Sequence, residues 1–232
     1  MAMKHNALNV GQGFPNFPPA LHVMESLSSV PIENHMLNQY CRGFGHAPLV
    51  KALADFYSPL LSKPLDPNTE VLVTVGAYYA LYAVTQAFIN AGDECIIMEP
   101  FFDCYSPMVT YAGGTPKFIP LQPAGENHTA NDWCLDYDKL EEMINPKTKM
   151  IILNNPNNPL GKVWSTEELK KLAEICIRRD ILCISDEVYE HLVYSPQIHH
   201  RMAALDGMHD RTITIGSGTG LTITHTMTHM TH

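Results

Sequence analysis

The chain lacks the features that mark several broad classes of protein. No apolar run approaches the ~18 residues that a membrane-spanning helix needs. No cluster of lysine and arginine exceeds a pair, and the formal charge is −9, so we expect no nucleic-acid partner. The first residues carry no apolar signal region and no arginine-rich presequence. We therefore expect a cytoplasmic protein, and leave a mitochondrial location open for longer forms.

Two further absences concern cysteine pairing and lysine. The six cysteines form no CxxC pair, and several lie in apolar patterns where cysteine acts as a small hydrophobic residue. They are Cys41, Cys95, Cys104, Cys134, Cys176 and Cys183. We expect a reducing compartment, with neither a disulfide framework nor a metal site. Lysine does not occur after Lys171.

What is present is enough for one sizeable domain. The chain has 232 residues, of which 45% are hydrophobic and 17% charged. From residue 71 onward, short apolar strands alternate with helices. Strands are predicted over 71–75, 95–98, 117–120, 150–153, 181–185 and 212–215, and helices over 78–90, 105–112, 137–144 and from a capping box at 165–168 to about 179. This alternation predicts an α/β fold with an open, mostly parallel sheet and helices on both faces.

The two ends of the chain differ from this alternating part. Residues 1–45 are predicted to form an arm and a linker helix that starts at Pro18–Pro19, and a helix is predicted over 46–57. Residues 46–217 form the predicted domain, and the Thr/His-rich residues 218–232 are predicted to be disordered. His225 and His229 could share a helix face, but threonine is a poor helix former and no third ligand is placed. We expect no metal there.

Polar residues follow two of the predicted strands, where parallel α/β sheets bind ligands. Asp186 ends the apolar run at 181–185, and Tyr189 lies three residues later. A carboxylate placed there could keep a pyridine nitrogen protonated, while Tyr189 and Asn158 could bind a neighbouring hydroxyl, as in pyridoxal phosphate. Taken alone, Asp186 is equally well explained as an ordinary strand end, and the loop around Asn158 as a plain turn.

Two other segments could serve the same ligand. Gly76, Ala77 and Tyr78 join a strand to a helix, so their backbone amides could bind a phosphate. Phe102 follows another strand and could lie flat on a ring. Each has a structural alternative, because strand–Gly–helix junctions are common and Phe102 could be a core aromatic.

Taken together, these positions resemble the fold-type I aminotransferases, and within them the kynurenine aminotransferases. The resemblance runs from about Leu8 to Ser217 and rests on the segments at 11–15, 36–40, 99–105, 154–161 and 185–192. It implies an aminotransferase large domain that binds pyridoxal phosphate. It also implies amino transfer between kynurenine or related amino acids and 2-oxo acids, β-lyase activity on cysteine S-conjugates, and a homodimer.

The resemblance also implies roles for individual residues. Asp186 would pair with the pyridinium nitrogen, Tyr189 and Asn158 would bind the ring hydroxyl, and Phe102 would stack on the ring. The phosphate would be held by Gly76, Ala77, Tyr78 and Ser217, and by Tyr40 reaching across a dimer interface. Gly13 and Asn158 would contact the substrate carboxylate.

One position departs from the family pattern. Gly220 stands where the family has its Schiff-base lysine, and glycine can neither hold the cofactor covalently nor move a proton. The resemblance further implies that the small C-terminal domain, with its carboxylate-binding arginine, is missing. We therefore expect no catalytic residue of that kind here. The alternative to a working transaminase is an inactive truncated isoform that binds cofactor weakly or pairs with a full-length subunit.

Overall fold

One large twisted sheet with helices on both faces organises the chain. The computed structural model describes residues 3–8, 17–124, 129–218 and 228–231. The helices are α1 (Leu21–Glu33), α2 (Ala47–Leu61), α3 (Gly76–Phe88), α4 (Tyr105–Tyr111), α5 (Tyr137–Met143) and α6 (Thr166–Arg179). The strands are β1 (Val71–Thr74), β2 (Glu94–Glu99), β3 (Thr115–Pro120), β4 (Gln122–Pro123), β5 (Trp133–Cys134), β6 (Thr148–Asn154), β7 (Leu182–Asp186), β8 (Thr212–Ile215) and β9 (Thr228–Thr231).

The sheet is parallel except for one strand. Its order is β1-β9-β8-β7-β6-β2-β3, and β9 runs antiparallel to both of its neighbours. β4 and β5 form a separate two-stranded ribbon. The predicted mostly parallel α/β sheet is thereby confirmed. The register aligns Asn154 with Asp186 and Asp186 with Ile215, so three central strands end at one level of the sheet edge.

Alternate residues of the central strands feed two separate cores. Ile96 and Ile151 belong to the core under α6, while Ile97 and Ile152 belong to the core under α3 and α4. All four are at most 2% exposed. Because both faces are covered, these strands consist of continuous apolar runs instead of alternating apolar and polar residues. Each such side chain contributes about 1.5–3 kcal/mol by its burial.

The predicted capping box at the start of α6 is confirmed. The Ser165 side chain accepts a hydrogen bond from the Glu168 amide, and the Glu168 carboxylate accepts one from the Ser165 amide. The helix ends at Asp180, which adopts a left-handed conformation with φ 53°. These two ends fix the length of α6 and so the start of β7, which carries Asp186.

The structure differs from the sequence-based expectation in three places. The linker helix predicted to end near Ser29 continues to Glu33, and α2 continues to Leu61. The tail predicted to be disordered contributes β9, which occupies the space between β1 and β8. Two parallel strands with unpaired edges can accept an antiparallel strand between them, and β-branched threonine favours that conformation. Residues 219–227 and 232, which include His225, lie outside the described residues.

No helix in the described part of the chain is both long enough and apolar enough to cross a bilayer.

Candidate functional site

A cavity of about 150 Å³ lies at the carboxyl edge of the sheet. Strand ends of β6 and β7, the first turn of α3 and the segment that leads into α4 form its walls. Its lining residues are Ala77, Tyr78, Leu81, Phe102, Tyr105, Asn154, Asn158, Asp186, Val188 and Tyr189. The structure therefore brings together six of the residues that the sequence singled out, namely Ala77, Tyr78, Phe102, Asn158, Asp186 and Tyr189.

Asp186 supplies the buried carboxylate of this cavity. Its side chain is only 4% exposed. The Tyr105 hydroxyl donates to Oδ2 at 2.5 Å, and the Val188 amide donates to Oδ1 at 3.3 Å. Burial raises the pKa of Asp186 to about 6, although the hydrogen bond from Tyr105 works in the opposite direction. The group is thus largely ionised at neutral pH and suited to pair with a cation.

Asn154 fastens the loop that carries Asn158 to the end of β7. Its Nδ2 donates to the Asp186 carbonyl at 3.0 Å, and its Oδ1 accepts from the Asn158 amide at 2.6 Å. Asn158 is thereby held beside Asp186 at the edge of the cavity. Tyr189 also lines the cavity and is 36% exposed. Both can hydrogen-bond to a ligand in the cavity.

Aromatic rings form one wall. The Phe102 ring makes edge contacts with Tyr105, at 6.0 Å between centroids, and with Tyr78, at 6.5 Å. These contacts fix the Phe102 ring within the wall. A planar ring in the cavity would lie against an apolar surface.

The N-terminus of α3 forms the end of the cavity that suits an anion. No side chain caps this helix, and its first residue, Gly76, has φ +83°. A Cβ at Gly76 would meet nothing within 4 Å, so glycine is required here by conformation and not by crowding. The first backbone amides of a 13-residue helix are thus available to a phosphate group.

Other predicted site residues lie elsewhere. Ser217 is buried just after β8, at the same sheet edge. Tyr40 is fully exposed and is not among the residues that line the cavity. Gly13 and Gly220 lie outside the described residues.

No lysine lines the cavity within the described residues. The most buried lysine, Lys162, is 1% exposed, pairs with Glu168 at 2.7 Å and lies over the Trp164 ring. The cavity therefore fits the noncovalent needs of pyridoxal phosphate: a buried carboxylate, hydrogen-bonding side chains, an aromatic wall and an uncapped helix N-terminus. None of the described residues that line the cavity carries an amine that could bond to the cofactor aldehyde.

Directly behind Asp186 lies a buried network of charges. The Glu187 carboxylate accepts hydrogen bonds from Ser185 at 2.8 Å and Arg201 at 2.6 Å, and contacts His199 at 2.8 Å. Arg201 also pairs with Glu190. Burial alone would raise the pKa of Glu187, but His199 and Arg201 hold it below its ordinary value.

This network resembles a metal site only in part. Ligand atoms of Glu187, Glu190 and His199 lie within 4.8 Å of one another. Arg201 already pairs with both carboxylates, and its positive charge would repel a cation bound between them. The arrangement is better suited to hold the segment after β7 in place.

Comparison with known proteins identifies the family of this chain. Residues 5–219 match the family described as aminotransferase class I and II. The chain belongs to the class I and II aminotransferases. Among its curated relatives are kynurenine–oxoglutarate transaminase 3 of Homo sapiens, 53% identical, and kynurenine–oxoglutarate transaminase 1 of Rattus norvegicus, 49% identical. Each alignment covers 94% of this chain, and 48% and 52% of the relatives.

Solved structures show the same relation. The N-succinyldiaminopimelate aminotransferase of Mycobacterium tuberculosis superposes with a TM-score of 0.91 at 37% identity. That match covers 99% of this chain and 59% of the other. This aminotransferase chain thus spans about half the length of the curated relatives it matches.

Sequence reasoning about this aminotransferase missed Tyr105 and Asn154. Asn154 could have been found from the strand-end rule, because it ends β6 as Asp186 ends β7. Tyr105 carries a weaker signal: it lies three residues after Phe102, at the start of a helix. Its contact with Asp186 spans 81 positions in the sequence, a distance that no local pattern encodes.

Proposed function

We propose that this chain binds pyridoxal phosphate noncovalently in the cavity at the carboxyl edge of the sheet. The observation that carries the proposal is the buried, hydrogen-bonded carboxylate of Asp186, which shares a cavity with the N-terminus of α3. A buried carboxylate and an anion site that border one cavity match a ligand that has a cationic ring nitrogen and a phosphate.

The chain's own residues would divide the work as follows. Asp186 keeps the ring nitrogen protonated, and Asn158 and Tyr189 bind the ring hydroxyl. Phe102 covers one ring face, while the amides of Gly76 and its successors bind the phosphate, with Ser217 nearby. When bound, the cofactor supplies an electron-withdrawing ring that stabilises negative charge at the α-carbon of an amino acid.

The reaction class that we propose at the family level is amino transfer from kynurenine and related amino acids to 2-oxo acids. Support comes from relatives whose names state that activity. A second proposed activity of this family is β-elimination from cysteine S-conjugates. Both reactions need an amine base at the cofactor, and Gly220 stands where the resemblance places it.

For the 232-residue chain itself we therefore propose cofactor binding without a covalent link and without turnover of its own. The uncapped phosphate end and Asp186 support binding, while the sequence offers no lysine after Lys171. Amino transfer would then require an amine from elsewhere, such as a full-length subunit paired with this chain.

Pairing of two subunits is a further part of the proposal. Tyr40 is fully exposed on the segment between α1 and α2, where it is free to reach a neighbouring protomer. We propose a homodimer in which Tyr40 approaches the phosphate end of the partner's cavity. Sedimentation of the chain with and without cofactor measures this directly, and a monomer under both conditions contradicts it.

The binding proposal is tested with two ligands. Pyridoxal phosphate tests binding and linkage, and 4-deoxypyridoxine phosphate, which has no aldehyde, tests noncovalent binding alone. We expect both to bind the wild type. Asp186→Asn should weaken both by at least about thirtyfold, because a buried charge pair is lost. Asp138→Asn on the exposed start of α5 is the matched control and should leave both affinities unchanged.

Borohydride treatment separates the two parts of the proposal. After reduction, we expect no stoichiometric pyridoxyl group on any lysine in peptide mass analysis. A single fully labelled lysine would contradict the noncovalent proposal, and equal affinity in wild type and Asp186→Asn would contradict the assignment of the site. Turnover of kynurenine by the purified chain, free of host transaminases, would contradict the proposed lack of activity.

A further inference from the structure

The phenol of Tyr105 has an unusual position relative to the proposed site. It is 2% exposed, it lies on the cavity wall, and its hydroxyl donates to Asp186 Oδ2 at 2.5 Å. The phenol ring also stacks on Phe101 and makes an edge contact with Phe102. A short bond between two buried groups restricts the rotation of both side chains.

We propose that Tyr105 is a positioning residue, which keeps the Asp186 carboxylate ionised and in one orientation for a cationic ring nitrogen. This inference rests on the proposed function. With Oδ2 bound by Tyr105 and Oδ1 by the Val188 amide, the carboxylate is held at both oxygens. Each oxygen retains a second lone pair, so one further donor from a ligand can still be accepted.

Removal of this phenol would act on charge as well as on geometry. Burial raises the pKa of Asp186, and the hydrogen bond from Tyr105 is the largest of the effects that lower it. Without it, the carboxyl group would be protonated to a higher pH. A neutral carboxyl group cannot attract a cationic ring, so binding would weaken and its pH dependence would move upward.

The other groups around Asp186 do not replace Tyr105. From its own segment, Glu187 is a like charge that raises the pKa of Asp186, and Tyr189 lines the cavity. Cys104 faces it from the start of α4, and burial raises the pKa of that thiol to about 12, so it is neutral. Tyr78 lines the cavity from α3.

From β6 and the loop after it the cavity receives neutral amides, those of Asn154 and Asn158. The charge state of Asp186 therefore depends chiefly on burial and on Tyr105.

The chain offers a matched control for this contact. Tyr57 is another buried phenol, and it donates to the Glu190 carboxylate at 2.6 Å, outside the cavity. Tyr57→Phe removes a bond of the same chemistry without altering the cavity wall. Tyr105→Phe keeps the ring contacts and removes only the hydroxyl.

The experiment measures affinity for 4-deoxypyridoxine phosphate between about pH 5 and pH 8 in wild type and variants. Ionisation of the ligand itself is common to all of them, so it cancels in the comparison. In the wild type, affinity should fall as the pH drops through the pKa of Asp186. In Tyr105→Phe we expect about tenfold weaker binding near neutrality. Affinity should again fall as the pH drops, but the midpoint of that fall should lie at a higher pH than in the wild type. Tyr57→Phe should keep the wild-type affinity and midpoint.

The outcomes distinguish this inference from the proposed function. If the wild type does not bind the probe, or Asp186→Asn binds it equally well, the proposed function fails. If Asp186→Asn weakens binding but Tyr105→Phe leaves affinity and midpoint unchanged, only the role of Tyr105 fails. An identical shift in Tyr57→Phe would overturn it too, since the effect would then be general.

A second variant guards against loss of the fold. If Tyr105→Phe does not melt cooperatively, 3-fluorotyrosine placed at Tyr105 keeps the ring and the hydroxyl and makes the phenol a stronger donor. The midpoint should then move to lower pH. A midpoint that stays in place overturns the inference.

Discussion

Asp186 and Glu187 are adjacent, equally buried carboxylates with opposite electrostatic surroundings. Asp186 faces the cavity, where one phenol and one amide bind it and none of the described residues pairs it with a cation, and its pKa is raised to about 6. Glu187 faces the opposite side, where Arg201, His199 and Ser185 bind it, and its pKa is lowered. Alternation along an extended segment sends neighbouring side chains to opposite faces.

The difference shows how one short segment can combine stability with binding capacity. Glu187 is satisfied within the protein, so it anchors the strand end. Asp186 has no cationic partner among the described residues, and in the proposed function it pairs with the cationic ring of a ligand. Sites of binding or catalysis often contain such incompletely satisfied groups, which cost stability in the free protein.

Replacement of the satisfied carboxylate should have the largest effect on stability. Glu187→Gln replaces a buried carboxylate that accepts hydrogen bonds from Ser185 and Arg201 by a neutral amide. We expect a loss of about 3 kcal/mol in unfolding free energy at neutral pH, because hydrogen bonds to a charged group are weakened or lost. Because the pKa of Glu187 is lowered on folding, its contribution is present above the ordinary glutamate pKa and lost as the pH falls through the folded value.

Urea denaturation at two pH values measures this effect. The difference between wild type and Glu187→Gln should shrink as the pH falls below about 4. Glu142→Gln, at an exposed site on α5, is the control and should change stability by less than about 0.5 kcal/mol. A Glu187→Gln protein as stable as the control would remove the contrast between the two carboxylates.

The opposite result is expected for the unsatisfied carboxylate. The folded pKa of Asp186 is raised, so its ionisation destabilises the free protein above that pKa, and this cost disappears as the pH falls through about 6 towards the unfolded value. Asp186→Asn should therefore stabilise the cofactor-free protein by about 1–3 kcal/mol at neutral pH.

This gain should diminish in acid, which distinguishes charge from packing. Thermal unfolding without cofactor should show a higher midpoint for Asp186→Asn at pH 7.5 or so, and nearly equal midpoints near pH 4. If Asp186→Asn instead destabilised the protein at neutral pH, the ionised Asp186 carboxylate would be stabilised by its surroundings, as that of Glu187 is. With cofactor present the order should reverse, since the variant gains less from binding.

The smallest effect should come from the outer part of the Glu187 network. Tyr57→Phe removes one buried hydrogen bond to Glu190, and burial together with the charge of Glu190 holds the pKa of Tyr57 above its ordinary value. We expect a loss of about 1–2 kcal/mol in stability. Cofactor affinity should not change, because this phenol does not touch the cavity. A loss of cofactor affinity in Tyr57→Phe would contradict this, because it would show that the Glu187 network and the cavity are coupled.

Local sequence patterns predicted most of the large elements. The strand at 212–215, the capping box at Ser165 and the alternation of strands with helices are all set by near neighbours. The strand formed by Thr228–Thr231 was not predictable in this way. Its place depends on pairing with β1, which lies far away in the sequence, as well as with β8, and threonine content alone indicated only a poor helix.

Some residues of the candidate site were also predictable from local sequence, and others were not. Residue types and positions at strand ends singled out Asp186, Asn158 and the junction at Gly76, and long stretches of resemblance named their family. Tyr105 and Arg201 escaped notice, because their importance lies in contacts to Asp186 and Glu187 across 81 and 14 positions. The strength of a carboxylate depends on such contacts, and a sequence does not display them.

By itself, then, the sequence determined an α/β sheet, a carboxylate at one strand end, and the lack of an amine where the family resemblance places one. Only the tertiary structure decided which of two neighbouring carboxylates is neutralised and which is left for a ligand. The physical reason is that alternation and capping act between residues close in the chain. Burial and ion pairing act between residues that meet only after the sheet has formed.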